Sequence, residues 1–515
     1  MKKHFIRNRR VRWGGIAAVL TILVITVTVL ANAVFGTLAK RYQWYTPMSA
    51  EMNYDVTEDC YTLLNEFFAA FSANGTPHAE IIFCDTADNI EADPTQLYVY
   101  RTATELAARY PENIKISCYD IWTNPNTVRN YTTTLNPTTG ETVETAIKST
   151  SVIIVSEGYH RVYTLEEFFV FKDGDTETPW AYNGEKKLAS GIMHAIDPEE
   201  PVACLTKNHG EIFYDYELIL LLDDAGYALS FIDLSKDPIP ENCDLIISFN
   251  PNSDLLVADE YSSISEVEIL DAFLAEDGNS FWVFLENGTP ELTNFEKYLD
   301  GWGVDFGYYT SPEGRNYRHM VQDAAQSLTS DGYTIYGDAA DAGSSGEMLT
   351  GLERKVVFKN ATAMQAAQGF VNNGDGSYTK GDRTLYSLYE GGASAVSWAN
   401  GKAVASADGA MLMSLTEQSR GGAKSYVGVA SSVNFCAEEF LQSAVYGNTD
   451  TLMRAFRTVG KTHTPEGLTV KPFESLDIST ITTRQMLWWT VGLAATPAVA
   501  VTAIAVAVLV KRRRA

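Results

Sequence analysis

A histidine and a glutamate flank a glycine in the stretch "VACLTKNHGE", residues 202–211. His209 and Glu211 are residue types that act as a general acid/base pair, and Cys204 in the same stretch could serve as a nucleophile. An apolar run precedes these residues and a helical pattern follows them, which predicts a strand-to-helix turn. Because open α/β sheets bind ligands at the carboxyl ends of their strands, this stretch is a candidate catalytic turn.

The remaining sequence supplies few partners for such chemistry. Cys204 lies in the middle of the predicted strand "VACLT", where its thiol should be buried, whereas a nucleophile elbow needs a glycine-flanked turn such as GxSxG. The sequence contains neither that pentapeptide nor an HExxH metal motif nor a GxxxxGK[ST] phosphate loop. It therefore predicts no catalytic residue, no metal and no cofactor. The alternative that stays open is a hydrolase or amidotransferase-like enzyme using His209 and Glu211.

The same turn also has a structural interpretation. Gly210 permits a tight turn after the strand, and Glu211 in the first helical turn would face the positive end of the helix dipole. Asn250 precedes Pro251 after the strand "DLIISF" and should converge on the same edge of the sheet. We therefore take His209, Gly210, Glu211 and Asn250 as candidate binding residues.

The elements that position these residues alternate along the chain. "PVACLT", "ALSFIDL", "CDLIISFNP" and "SFWVFLE" are predicted strands, with helical patterns between and after them. This order predicts a Rossmann-like, doubly wound α/β domain over residues 199–470. Its residues 308–425, which are rich in glycine and aspartate, are predicted to form an irregular insertion. Residues 42–190 show a similar alternation and predict an N-terminal α/β domain.

Two uncharged apolar runs lie near the ends of the chain. Residues 13–39 and 487–510 are each long enough to cross a bilayer, although the first run could also be a cleaved signal peptide. Basic tails at 1–12 and 511–515 flank these runs, and positive charge stays on the cytoplasmic side. The predicted fold class is thus an α/β extracytoplasmic region, with Rossmann- or flavodoxin-like open sheets, between two transmembrane helices.

This topology predicts a two-pass protein of the bacterial cell membrane. Both termini would be cytoplasmic, residues 42–485 extracytoplasmic, and 471–486 a juxtamembrane linker. The chain carries a net charge of −26, and twelve of its 39 basic residues lie in or beside the two tails. The acidic remainder repels phosphate backbones, which excludes nucleic acid as a partner. Six cysteines are scattered singly, so no disulfide scaffold is expected.

The order of motifs resembles a known family. It is carried by "NGEKKLASGIMHAIDPEEPVACLTKNHGE", by "AGYALSFIDLSKDPIPENCDLIISFNPNSDLLVADEYSS" and by "SYVGVASSVNFCAEEFL" with the segments that follow. Together they resemble the GldG-like auxiliary proteins of ABC transporters, named after a gliding-motility component. Two positions depart from the family pattern. Asn208 precedes His209 where the family has glycine, and "EDGNS" has Gly278 alone where two glycines are usual.

The resemblance implies a non-catalytic auxiliary subunit whose sheet domain is similar to the class I glutamine amidotransferase-like fold. Its implied partners are an ABC permease and ATPase, with membrane lipid contacted by the two spans. The large domain would bind the exported substrate, an envelope polymer or the permease. A passive envelope-adhesion module is a further alternative, and it would work without any ATPase.

Overall fold

The computed structural model describes residues 54–473 except 73–74, 136–141, 158, 172–177, 199–200, 212–216, 261–262, 290, 341–351, 353, 444 and 460–464. Within these residues the α-helices are α1 (Glu58–Phe71), α2 (Ala87–Ala92), α3 (Pro94–Arg109), α4 (Gly184–Ile196), α5 (Glu217–Asp224), α6 (Glu266–Phe273), α7 (Thr293–Gly301), α8 (Glu438–Leu441) and α9 (Asn448–Val459). Short 3-10 helices lie at Pro125–Tyr131, Leu165–Phe168 and Val433–Cys436.

The strands before α5 are β1 (Ala79–Phe83), β2 (Ile114–Cys118), β3 (Thr133–Leu135), β4 (Thr142–Glu144), β5 (Val152–Ser156), β6 (Tyr159–Tyr163), β7 (Phe169–Val170), β8 (Ala181–Tyr182) and β9 (Val202–Thr206). The next are β10 (Ala228–Ile232), β11 (Cys243–Phe249), β12 (Ser280–Phe284), β13 (Val304–Phe306), β14 (Tyr308–Thr310), β15 (Asn316–Arg318), β16 (Met320–Gln322), β17 (Thr334–Ala339) and β18 (Val356–Lys359). The last are β19 (Met364–Ala366), β20 (Val371–Asn372), β21 (Ser377–Lys380), β22 (Arg383–Glu390), β23 (Val396–Ala399), β24 (Lys402–Ser406), β25 (Met411–Arg420), β26 (Ala423–Ala430) and β27 (Lys471–Pro472).

The N-terminal sheet has the strand order β2-β1-β5-β6. β1 and β2 run parallel, while β5 is antiparallel to both β1 and β6, so the sheet is mixed rather than wholly parallel. Apolar residues of α1, α3 and α4 cover one face, and a smaller cluster that includes Ile82, Val128 and Ile153 covers the other. The alternating α/β pattern is therefore present, with antiparallel strands added at one side.

Helix α4 is buried from Gly184 to Ala195, although it carries several charged residues. The Lys186 and Lys187 ammonium groups lie 2.9 and 2.5 Å from the Asp224 carboxylate at the end of α5. Burial alone raises the pKa of Asp224, but the two lysines outweigh it and hold that pKa well below its usual range. Because buried charges are tolerated only when they are paired, these contacts fasten α4 to the second sheet region.

Glu185 of α4 contacts residues near both ends of the described chain. The Glu185 carboxylate accepts hydrogen bonds from the Thr57 amide at 2.7 Å and from its hydroxyl at 2.5 Å. The other carboxylate oxygen lies 2.5 Å from the Lys471 ammonium. One buried carboxylate thus anchors the start of α1 and the strand β27 at the same place.

The large sheet follows the path β10-β9-β11-β12-β26-β25-β22-β17-β18. Its strands from β10 to β26 are parallel, and from β26 onward neighbouring strands along this path are antiparallel. Helices α5 and α9 pack on one face, while α6 and α7 pack on the other. Residues 202–301 therefore form the doubly wound half that the alternating sequence pattern predicts.

Two parts of this region differ from the sequence expectation. Residues within 308–425 supply β17, β18, β22 and β25, which continue the large sheet, so much of the predicted insertion is part of the main core. The helical pattern between the strands "CDLIISFNP" and "SFWVFLE", predicted over residues 258–278, is within the described residues a helix over Glu266–Phe273. Ser265 caps that helix by accepting a hydrogen bond from the Glu268 amide at 3.2 Å, and residues 257–260 and 263–264 belong to no helix or strand.

No helix within the described residues is long and apolar enough to cross a membrane. The longest of them, α3, has 16 residues and extends about 24 Å, short of the roughly 30 Å hydrocarbon core of a bilayer. The predicted spans at 13–39 and 487–510 lie outside the described residues. The structure supports mixed α/β sheets and contradicts two predictions. One is the fold class with two flanking transmembrane helices. The other is the two-pass membrane localisation with residues 42–485 extracytoplasmic.

The packing of the large sheet gives a direct test of this core. A Cβ atom added to Gly428 would lie 2.4 Å from ring atoms of Trp282, which is fully buried on the neighbouring strand β12. Because the ring lies between packed layers and cannot move freely, Gly428→Ala should lower the free energy of unfolding by about 1–3 kcal/mol. Urea denaturation measures this change.

Gly288→Ala is the matched control, since the nearest atom to its added Cβ is at an ordinary 3.6 Å. That control should stay within about 0.5 kcal/mol of the unaltered chain. Equal stability of the two variants would refute the packing of Trp282 against Gly428.

Candidate functional site

The turn after β9 is fixed by its backbone. Gly210 has a φ of +72°, a left-handed conformation that favours glycine. The His209 carbonyl accepts hydrogen bonds from the amides of Asn252 at 2.7 Å and Ser253 at 2.9 Å. The turn after β9 is therefore bonded to the segment that follows β11, and both lie at the carboxyl edge of the parallel strands.

The imidazole of His209 lies between two carboxylates. Its Nδ1 is 3.1 Å from Glu211 Oε1, and its Nε2 is 2.9 Å from Glu266 Oε2. The side chain of His209 is 3% exposed, and those of both glutamates are fully buried. Since carboxylates accept hydrogen bonds, an imidazolium that donates from both nitrogens satisfies this arrangement.

The Glu211 side chain points back toward β9, the strand that precedes the turn. Its Oε2 accepts a hydrogen bond from the His209 amide at 2.7 Å, and its Oε1 accepts one from the Thr206 hydroxyl at 2.5 Å. Residues 212–216 are not described, and α5 begins at Glu217. Glu211 therefore pairs with His209 within the turn. It lies outside α5, although the sequence predicted it in the first turn of the following helix.

Glu266 is the member of this cluster that the sequence did not reveal. It opens α6, and its carboxylate accepts hydrogen bonds from the Leu256 amide at 2.7 Å and from Asn208 Nδ2 at 2.5 Å. In the sequence it looks like an ordinary acidic residue in the first turn of a helix. The Ser265 cap marks that helix start, but no local pattern connects Glu266 with a histidine 57 residues earlier.

Opposing effects act on the protonation of the cluster. Burial alone lowers the pKa of His209, but hydrogen bonds and charges from Glu211 and Glu266 outweigh it and raise that pKa to about 9. Burial likewise acts to raise the pKa of each glutamate, whereas the bonds to His209 and neighbouring donors lower it below its usual range. We therefore assign one cation and two anions to the cluster near neutral pH.

Asn250 lies at the same edge but is directed elsewhere. It has a φ of +55° and is almost fully buried, and its Nδ2 donates to Glu286 Oε2 at 3.0 Å. Asn252 connects it to the His209 turn, because Asn252 Nδ2 donates to the carbonyls of Gly210 at 3.1 Å and Asn250 at 3.0 Å. The structure thus brings His209, Gly210 and Glu211 together, with Asn250 joined to them through the Asn252 side chain.

The arrangement is poorly suited to proton transfer. A general base needs a free nitrogen within reach of substrate, but both nitrogens of His209 face buried carboxylates. Cys204 is fully buried within β9, which denies a substrate access to its thiol. Among the described residues, no group of three or more histidine, cysteine, aspartate or glutamate side chains could hold a metal ion. The cluster stabilises the turn as a buried ion triad.

Comparisons with known proteins add little to this geometry. No family model matches the chain, and no curated protein matches it. One solved structure that aligns with it is PurLQS from Thermotoga maritima, with 14% sequence identity, 51% of this chain and 98% of that chain covered, and a TM-score of 0.26. A TM-score this low carries no argument about fold or function.

The buried triad predicts a specific dependence of stability on pH. His209 has a folded-state pKa above its ordinary 6.5, so its contribution is fully present below pH 6.5 and is lost as pH rises through about 9. The glutamates have lowered pKa values, so their contribution is present above about pH 4.5 and is lost in acid. His209→Gln should therefore cost about 3–5 kcal/mol of unfolding free energy at pH 6 and clearly less at pH 10.

Chemical denaturation of both proteins at the two pH values measures the effect. His78→Gln is the matched control, since His78 is exposed and should tolerate the change at either pH. A penalty for His209→Gln that is the same at pH 6 and pH 10 would rule out a charged His209 in the folded state.

Proposed function

We propose that this chain is a non-catalytic auxiliary subunit of an ABC-type transport system. Its α/β region would bind the transported substrate, an envelope polymer or the permease, and the hydrolytic step would belong to the ATPase subunit. The observation that carries the non-catalytic part is the buried ion triad of His209, Glu211 and Glu266. The ABC part rests on the sequence resemblance to GldG-like proteins.

The rival function is hydrolysis or amide transfer with His209 and Glu211 as the acid/base pair. That chemistry requires an imidazole that substrate can reach and that can exchange a proton near neutral pH. The 3% exposure of His209 and its pKa of about 9 count against both requirements. The same residues favour a role in fixing the shape of the sheet edge for recognition.

Exposed apolar residues lie on the segment that leads into the triad residue Glu266. Leu256, Val257 and Ile264 are 47%, 44% and 40% exposed on the segment between β11 and α6. Large apolar side chains that are grouped on one exposed segment favour a protein partner more than scattered single ones do. We therefore place the proposed binding surface on residues 254–260 and 263–264 at the carboxyl edge of the sheet.

Hydrogen bonds to Glu266 and to the start of α7 fix the backbone of this surface. The Leu256 amide and carbonyl both pair with Glu266, at 2.7 and 2.9 Å. Asp254 accepts hydrogen bonds from the amides of Asn294 and Phe295 at the start of α7, each at 2.8 Å. A surface fixed at both sides loses little conformational entropy when a partner binds, which favours recognition.

The proposed surface can be tested by copurification. In the native host, a tagged full-length chain should recover an ABC permease and ATPase after gentle solubilisation. The double variant Leu256→Ser/Val257→Ser should recover several-fold less of both, because it removes apolar area from the centre of the proposed interface. Quantitative mass spectrometry of the eluates measures the change.

Val371→Ser/Val404→Ser is the matched control, since these two valines are 65% and 43% exposed on strands β20 and β24, outside the proposed surface. That variant should recover the same amount of both subunits as the unaltered chain. Recovery of no permease and no ATPase by the unaltered chain would eliminate the auxiliary role, and equal recovery by both double variants would eliminate the proposed surface.

A further inference from the structure

A cleft of about 520 Å³ lies between α1 and α9, where it is lined by residues outside the His209 cluster. Its volume is within the range of small-molecule sites. On α1, Leu63 and Glu66 are three residues apart and share a face, and on α9 Arg454 and Arg457 do the same. Opposite charges on facing helices therefore meet across one cavity.

One end of this charge pattern is rigid. Arg454 donates to Glu466 through Nε at 2.6 Å and Nη2 at 2.7 Å, a two-point contact between side chains that are 20% and 13% exposed. The same carboxylate accepts a hydrogen bond from Arg457 Nη1 at 3.0 Å. Because two-point arginine–carboxylate contacts are geometrically specific, Glu466 holds the Arg457 guanidinium in place.

The pair at the other end of the cleft, Arg457 and Glu66, is only weakly bonded. Arg457 Nη2 lies 3.8 Å from Glu66 Oε2, which is longer than a hydrogen bond, and the two side chains are 45% and 62% exposed. Surface pairs of this kind contribute little to stability, so separating them costs little. A ligand could therefore enter between Arg457 and Glu66 and form a charge-assisted hydrogen bond to each.

The balance of charge restricts the ligand class. Three arginines and four carboxylates line the cleft, so a purely anionic ligand would enter a cavity that already has an excess negative charge. A zwitterion satisfies both Arg457 and Glu66 without adding net charge. In an α-amino acid the ammonium and carboxylate groups flank a single carbon atom, which suits two opposite charges that already lie near each other.

We propose that this cleft binds a free α-amino acid with an apolar side chain. Its carboxylate accepts hydrogen bonds from Arg457, and its ammonium group donates to Glu66. The side chain lies along Leu63 and Leu352, the apolar residues of the lining. This site shares no residue with the surface at residues 254–260 and 263–264, and it does not depend on the proposed transport role.

Isothermal titration calorimetry on the full-length chain tests the proposal with three probes. L-leucine carries both charges, N-acetyl-L-leucine lacks the ammonium group, and L-leucinamide lacks the carboxylate. We expect L-leucine to bind and each derivative to bind at least about tenfold more weakly, because each loses one hydrogen bond between charged groups. Arg457→Gln and Glu66→Gln should each weaken L-leucine binding by about the same factor.

Arg101→Gln is the matched control, because Arg101 also lies 3.8 Å from a carboxylate, that of Glu91, and both are about half exposed. It should leave L-leucine binding unchanged. Since Arg457 and Glu66 are well exposed, both variants should keep the melting temperature of the unaltered chain, which separates loss of binding from loss of folding. Absence of L-leucine binding, equal binding of either derivative, or unchanged binding by Arg457→Gln would overturn the proposal.

Discussion

The charge on His209 determines how the carboxyl edge of the large sheet is built. Glu211 and Glu266 are both fully buried, and two buried carboxylates are tolerated only with a cation between them. That one cation joins the end of β9 to the start of α6, and through Glu266 it also fixes the Leu256 backbone. The backbone position of the exposed Leu256 therefore depends on a buried ion triad.

A second set of buried charges joins the two sheet regions. Lys186 and Lys187 of α4 pair with Asp224 of α5, while Glu185 of the same helix holds Thr57 and Lys471. The two networks have the same physical basis, since in each the cost of burying charged groups is offset by groups of opposite charge. Removal of one partner from either network would leave a buried charge that is costly by about 3–5 kcal/mol.

Some of this could be predicted from the sequence. Apolar runs such as "VACLT" and "LIISF" indicate buried parallel strands, and both are buried throughout. The continuation of the sheet through β17, β22 and β25 could not be predicted, because its strands pair across long separations between glycine-rich turns. His209, Gly210 and Glu211 could be placed at one turn, but Glu266 comes close only through tertiary packing. A histidine close to a glutamate in the sequence does not indicate whether its imidazole is accessible to substrate.

His209 is a buried cation whose role is structural. An NMR titration of the His209 ring nitrogens in the full-length chain measures its protonation directly. We predict that both nitrogens stay protonated through neutral pH and that the pKa is near 9. A pKa at or below the ordinary 6.5, with one nitrogen free at neutral pH, would contradict the ion triad and restore His209 as a candidate general base.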